Sequence, residues 1–305
     1  MAIRVFVTPL SFVLATALVG CGDSAATTTG GGAGGVGGAG TGGAGSTGGA
    51  ASCALTDATT PTATESPSGC AVLDRDTSAC RAEREAQGLS GVWLRFSCRV
   101  TLTKEGASIR AESDGQPDHP SNYFEPTDPC HEDYTDATQN PNLIEPFALD
   151  VSFPETPDTG GGTMTGAIVG VAADGVAIFG NFAAPGDDIF QEAMTFDRCG
   201  GHPQMAGQYH YHAEPYALSY DDARFIGVLR DGYAVYGRRD ADGSLPTLDA
   251  DGGHMGTTED SPDTPVYHYH LNLETSQTPG TAGQQEWFLT TGTYHGTPAA
   301  CSSCQ

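Results

Sequence analysis

The sequence predicts a mainly β domain of two similar halves, stapled by disulfides and carrying few short helices. Three observations predict it. First, GVAADGVAIFG (170–180) and GVLRDGYAVYG (227–237) place Asp-Gly between runs of apolar residues, a strong signal for a β-hairpin. Second, FDRCGGH (196–202) and LDADGGH (248–254) follow the two hairpins. Third, each half then reaches Tyr-His-Tyr-His, at 209–212 and at 267–270. The same pieces in the same order, at nearly constant offset, read as an internal duplication. The units run from about 166 to 215 and from about 225 to 271, and together are expected to form one pseudo-twofold domain.

Taken in order, the chain begins with a targeting segment. Arg4 precedes an apolar stretch, Val5 to Val19, interrupted by Pro9. This reads as a signal-peptide core over 1–20. It ends in Leu18-Val19-Gly20-Cys21, similar to the lipobox of bacterial lipoproteins, in which the cysteine carries the lipid. The competing reading is an ordinary signal peptide with an incidental cysteine. Residues 21–52 are nearly all Gly, Ala, Thr and Ser and cannot bury enough apolar surface to fold, so they read as a flexible tether. The expected location is outside the cytoplasm, lipid-anchored in a bacterial outer membrane, at the cell surface or in the periplasm. The expected partners are a membrane, through that lipid, and a metal ion; no protein partner is indicated.

Beyond Cys21, eight cysteines remain, Cys53, Cys70, Cys80, Cys98, Cys130, Cys199, Cys301 and Cys304. In an exported chain they allow up to four disulfides, without fixing the pairs. Cys301-Ser302-Ser303-Cys304 has redox-motif spacing but no following helix to activate a thiol, which favours a structural role. Residues 53–90 form a Cys-containing extension with one expected helix, Thr77 to Gln87, capped by Asp76 or Thr77 and stopped by Gly88. From 91 to 305 the main domain is expected. Val92, Leu94 and Phe96 alternate, followed by Val100 and Leu102, which suggests strands. Residues 114–146, rich in Pro and Asp, read as irregular loops with short strands. A short helix is expected over Asp187 to Met194, with Ile189, Phe190, Ala193 and Met194 on one face.

Composition narrows the function. The formal net charge is −25, with 13 Lys+Arg against 38 Asp+Glu, which argues against a nucleic-acid partner. No nucleophile elbow, H-E-x-x-H helix, P-loop or dinucleotide fingerprint is present. Histidine carries the signal. In a strand, residues i and i+2 share a face, so His210 and His212 point one way and Tyr209 and Tyr211 the other. The same holds for His268 and His270 against Tyr267 and Tyr269. Two imidazoles on one face offer two ligands to one metal ion, and the Gly-Gly-His segments offer His202 and His254 as further ligands. Asp197 and Asp249 read as ligands or as acceptors that fix an imidazole tautomer. Each half can hold its own site, or both can share one across the pseudo-twofold. Such donors suit copper or zinc better than calcium. DADGS (240–244) and DADGG (249–253) start like calcium loops but lack the EF-hand continuation, and turn chemistry explains them better. The tyrosines read as packing.

These pieces resemble the YHYH-domain family. The resemblance rests on DGQPDHPSNYF (114–124), VGVAADGVAIFGN (169–181), FDRCGGHP (196–203), GQYHYHAEP (207–215), IGVLRDGYAVYGRRDADGS (226–244), LDADGGH (248–254), YHYH (267–270) and TYHGTP (293–298), spanning about 91–300. It implies an architecture and an exported protein, but no reaction. It also implies that Asp118 and His119 correspond to the family's Pro-Asp-His segment, where His119 brings a further ligand or caps a turn. Relatives have cysteines where this chain has Asp251 and Thr293, so a disulfide linking those positions is expected to be missing here. Three functions remain open: a tethered protein that sequesters or presents copper or zinc, a metal-dependent hydrolase or oxidase, and an envelope or adhesion scaffold with structural histidines.

Overall fold

The computed structural model describes residue 53 and residues 58–135, 140–184 and 187–304. The expected signal peptide, the tether and Cys21 lie outside the described residues. Among the described residues no helix is long and apolar enough to cross a membrane. The fold is mainly β, with two short α-helices among the described residues.

The extension opens with an antiparallel pair that the sequence reading did not anticipate, β1 (Ala58–Glu65) and β2 (Ala71–Arg75). Helix α1 (Ser78–Ala86) follows, inside its expected bounds. Asp76 Oδ1 accepts the Ser78 N–H at 2.9 Å, and Gly88, at φ +81°, ends the helix. The expected strand through Val92, Leu94 and Phe96 does not form; Gly91–Leu94 is a turn of 3₁₀-helix. Arg84 ties down the chain beyond it. Its buried guanidinium takes the carbonyls of Phe96, Ser97 and Val100 at 2.5, 2.8 and 2.8 Å, and Cys80 bridges to Cys98.

Three strands, β3 (Thr101–Glu105), β4 (Ser108–Ser113) and β5 (Leu149–Pro154), form an antiparallel sheet. The Pro- and Asp-rich stretch between β4 and β5 is irregular, as expected; in place of the short strands, its described residues hold only an isolated bridge, Ser121 to His131. After β6 (Gly162–Thr163) comes the main sheet. Its first half comprises β7 (Ile168–Ala172), β8 (Ala177–Phe179), helix α2 (Ile189–Ala193), β9 (Gly201–Pro203) and β10 (Tyr209–Tyr211). Its second half comprises β11 (Phe225–Leu229), β12 (Ala234–Tyr236), β13 (Gly253–Thr258) and β14 (Ser261–His270). The chain ends with β15 (Asn272–Thr275), β16 (Gln285–Phe288) and β17 (Thr293–Tyr294), which pairs with β6.

The eight strands of the main sheet lie in the order β13-β14-β12-β11-β7-β8-β10-β9, which has the same pattern from either edge. At the centre β7 and β11 run antiparallel, with Val171 opposite Val228. Outward on each side comes the hairpin partner, then a parallel YHYH strand, then an antiparallel Gly-Gly-His strand. Every residue of β7 and β11 is buried, which accounts for their unbroken apolar runs. Both hairpins form, but not with the two-residue turn that Asp-Gly suggests. Gly175 N–H bonds to Ala172 O and Gly232 N–H to Leu229 O, with glycine φ values of +94° and +88°, while Asp174 and Asp231 keep negative φ. These are three-residue turns with glycine in the left-handed position. In α2, Asp188 caps through its Oδ1 to Phe190 N–H at 3.1 Å. Phe190 packs edge-on against Phe288, whereas Met194 falls outside the helix and is exposed.

The eight cysteines pair as Cys53–Cys130, Cys70–Cys199, Cys80–Cys98 and Cys301–Cys304. The last of these closes the C-terminal Cys-Ser-Ser-Cys on itself.

Candidate metal centres

Residues 196–202 and 248–254 build the same loop twice. Asp197 Oδ1 accepts the N–H groups of Cys199 and Gly201 at 2.9 and 3.2 Å. Asp249 Oδ1 accepts those of Asp251 and Gly253 at the same distances. The first glycine of each pair, Gly200 or Gly252, has φ +93° or +86°, where a side chain is strained. The second must lack a Cβ, because one at Gly201 or Gly253 would stand 2.5 Å from the hydroxyl oxygen of Tyr209 or Tyr267. Those hydroxyls donate to the same aspartates, Tyr209 to Asp197 Oδ2 at 2.8 Å and Tyr267 to Asp249 at 3.1 Å. Asp197 and Asp249 therefore sit on the tyrosine face. Neither holds or orients an imidazole of the trios, because the pleat that sends the histidines one way sends the tyrosines, and their acceptors, the other.

Register then assembles the histidines. His202 lies opposite His210 across β9 and β10, and His254 opposite His268 across β13 and β14. With His212 and His270 two residues further along, each half brings three imidazoles together. His202, His210 and His212 form one compact group, and His254, His268 and His270 with Asp240 form another; each could hold a metal ion. There are two separate trios, not one shared across the sheet centre.

In the first trio every ring is buried, at most 6% exposed. His210 Nε2 stands 3.0 Å from both His202 Nε2 and His212 Nε2. The opposite nitrogens are all engaged. His210 Nδ1 meets Gln208 O at 3.1 Å, and His212 Nδ1 meets Gly180 O at 2.6 Å. A carbonyl only accepts, so both Nδ1 atoms carry hydrogen. His202 Nδ1 meets Thr195 Oγ1 at 2.6 Å, and that hydroxyl donates to Glu192 O at 2.7 Å, so here too Nδ1 is the donor. Neutral imidazoles in this tautomer turn three bare Nε2 lone pairs toward one another. Protonation is a poor remedy. Burial, with repulsion from His212, lowers the His202 pKa to about 3; burial lowers His212 to about 4; burial and the two neighbouring imidazoles hold His210 well below its usual value. Phe179 stacks on His210 with ring centroids 3.8 Å apart. Glu192 Oε2, on α2, lies 3.4 Å from His212 Nε2 and 3.9 Å from His202 Nε2, and burial raises its pKa.

The second trio repeats the tautomer logic. His268 Nδ1 meets Val266 O at 3.0 Å and His270 Nδ1 meets Gly237 O at 2.7 Å, the counterparts of Gln208 and Gly180. His254 Nε2 is 3.3 Å from His270 Nε2. Asp240 Oδ1 faces all three rings, 3.0 Å from His254, 3.7 Å from His268 and 3.4 Å from His270. Burial lowers the His268 pKa and takes His270 down to about 4.

His119 does not join a trio. It lies on the tyrosine face, its Nε2 3.0 Å from the Tyr211 hydroxyl and its Nδ1 2.9 Å from Pro120 O. Tyr211 donates to Asp174 at 2.8 Å and Tyr269 to Asp231 at 2.5 Å, so the tyrosines lock the hairpin turns to the YHYH strands. The positions of the expected missing disulfide do touch, since Thr293 Oγ1 donates to Asp251 Oδ1 at 2.8 Å. Asp251 also belongs to a third, more exposed group with Asp249 and His295. Sequence reasoning missed Asp240 and Glu192. Asp240 opens the DADGS stretch, where its turn signal masked its direction. Glu192 comes from a helix with no counterpart in the other half, and no spacing announces it.

Residues 150–245 match the family model described as YHYH protein. That segment holds both hairpins, the first Gly-Gly-His loop and the first YHYH strand, while the second YHYH strand lies beyond it. No curated protein and no solved structure matches the chain. That match falls on the half that builds the first trio, so the chain carries a YHYH domain over residues 150–245.

Proposed function

We propose that this protein binds two transition-metal ions, copper or zinc, one in each histidine trio, as an exported, lipid-anchored metal-binding protein. The observation that carries the reading is the first trio, where three Nε2 lone pairs converge while every Nδ1–H is committed elsewhere. Lone pairs at this distance repel unless a cation lies between them. Metal–nitrogen bonds of about 2.0–2.1 Å in a tetrahedral site separate two nitrogens by roughly 3.3 Å. The trios show 3.0 and 3.3 Å. Imidazole nitrogens suit copper and zinc, whereas calcium takes oxygen ligands. A bound zinc would supply Lewis-acid chemistry, and copper one-electron chemistry as well. Four disulfides support an oxidising compartment, and the net charge of −25 favours cations near the surface.

Elemental analysis of the purified protein tests this. The wild type is expected to hold two equivalents of copper or zinc, and His210→Ala and His268→Ala one each. A folded wild type that takes up neither metal on reloading refutes the reading and leaves the histidines as packing in a scaffold.

A further inference from the structure

The two trios differ in what stands opposite the imidazoles. In the second, Asp240 Oδ1 faces all three rings at 3.0–3.7 Å and completes a four-donor set. In the first, Glu192 reaches only toward His212 and His202, at 3.4 and 3.9 Å, and stands outside the compact group. A tetrahedral ion on three nitrogens there keeps one position free.

What lies next to that position differs too. A cleft of about 710 Å³ has His202, His210 and His212 in its lining. Its walls include Phe179, Phe182, Pro203 and Met205. Phe182 and Met205 are 40% and 89% exposed, apolar side chains held in water at the opening. The Phe182 ring lies against Gly180, whose carbonyl orients His212. Glu192 also lines the cleft, within reach of a hydrogen bond to a ligand N–H or O–H. The cleft on the other half is smaller, about 460 Å³, and of the second trio only His268 lines it.

We propose that the first centre is open and the second closed. The metal held by His202, His210 and His212 takes an exogenous ligand, a small molecule with an anionic oxygen or nitrogen donor on an apolar body of aromatic size. The metal held by His254, His268, His270 and Asp240 is coordinatively filled and structural. This inference rests on the metal-binding reading above. The apolar walls select the body of the ligand, and the free coordination position selects its head.

The test uses the full chain loaded with cobalt(II), whose visible bands report coordination, and two probes, acetohydroxamate and benzohydroxamate. Cobalt stoichiometry is measured first. In the wild type, one of two cobalt ions is expected to respond to the probes. Benzohydroxamate is expected to bind about 10–100-fold more tightly than acetohydroxamate, the effect of burying a ring in place of a methyl group. Phe182→Ala combined with Met205→Ala should bring that ratio toward one, with the loss falling on benzohydroxamate. Asp240→Ala should make the second cobalt respond as well, a gain that does not require deleting any histidine. Two bound cobalt ions with silent bands, equal responses from both centres, or a probe ratio near one overturns the inference and leaves metal binding standing. A folded protein that takes up no cobalt, copper or zinc overturns both.

Discussion

Zinc is expected to raise the melting temperature through two separate contributions, each abolished by its own variant. Five strand steps part the two YHYH strands in the main sheet. At about 4.8 Å per step the trios are roughly 24 Å apart, beyond the distance at which stabilities couple. Free zinc at 1,000 times its dissociation constant stabilises a single-site protein by about 4.1 kcal/mol, and two independent sites by about 8 kcal/mol. For a folded unit of roughly 250 residues, each kcal/mol moves the midpoint by about 2–4 °C, so the wild type should shift by about 16–32 °C. His210→Ala and His268→Ala should each keep about half of that shift. The assay is circular dichroism melting in EDTA and in buffered zinc, with the disulfides intact. Loss of the whole shift in either single variant would mean one shared site and refute the two-centre geometry. Retention of the shift in the double variant would place the zinc elsewhere.

Three further outcomes follow from specific contacts. Thr195→Val removes the acceptor of His202 Nδ1–H and should weaken the first centre about 10–100-fold without touching the second, as read by competition with a chromophoric chelator. Asp197→Ala strips a buried acceptor from Ser121, Tyr209 and two backbone N–H groups, and should cost about 3–5 kcal/mol in urea melts; a cost below 1 kcal/mol would mean that the loop does not depend on it. The metal-free protein should lose stability as pH falls. His212 and His202 titrate at about 4 and 3 when folded against 6.5 when free, so the unfolded chain binds more protons in that window. Stability is then fully present above about pH 6.5 and declines toward pH 4, by up to about 1.4 kcal/mol per pH unit for each histidine. Urea melts in EDTA at pH 7.5 and 5 check the sign, and equal midpoints would contradict it.

Much of the site was readable from local pattern. Strand alternation places His210 with His212 and His268 with His270, opposite their tyrosines, because the pleat has a period of two. The Gly-Gly-His signal was equally local, since a positive φ and a missing Cβ are demands that only glycine meets. Asp197 and Asp249 stand apart from the imidazoles of the two trios because adjacency in sequence says nothing of which face a loop carboxylate turns to. Val92, Leu94 and Phe96 misled for a related reason: their alternation is genuine, but Gly91–Leu94 winds into a 3₁₀ turn and a buried arginine from α1 ties down the carbonyls of Phe96, Ser97 and Val100 beyond it.

From the chain alone came the β class, the repeated hairpin and loop, the two His-x-His pairs and the disulfide-forming cysteines, because each depends on short-range periodicity or on counting. Long-range packing settled the rest. Cross-strand register set His202 against His210 and His254 against His268, which made two histidine trios. The approach of Asp240 to one trio and of α2 with Glu192 to the other made those trios unequal. Neither approach leaves a trace in local sequence, since the direction of a carboxylate is fixed only when the elements on either side of it have packed.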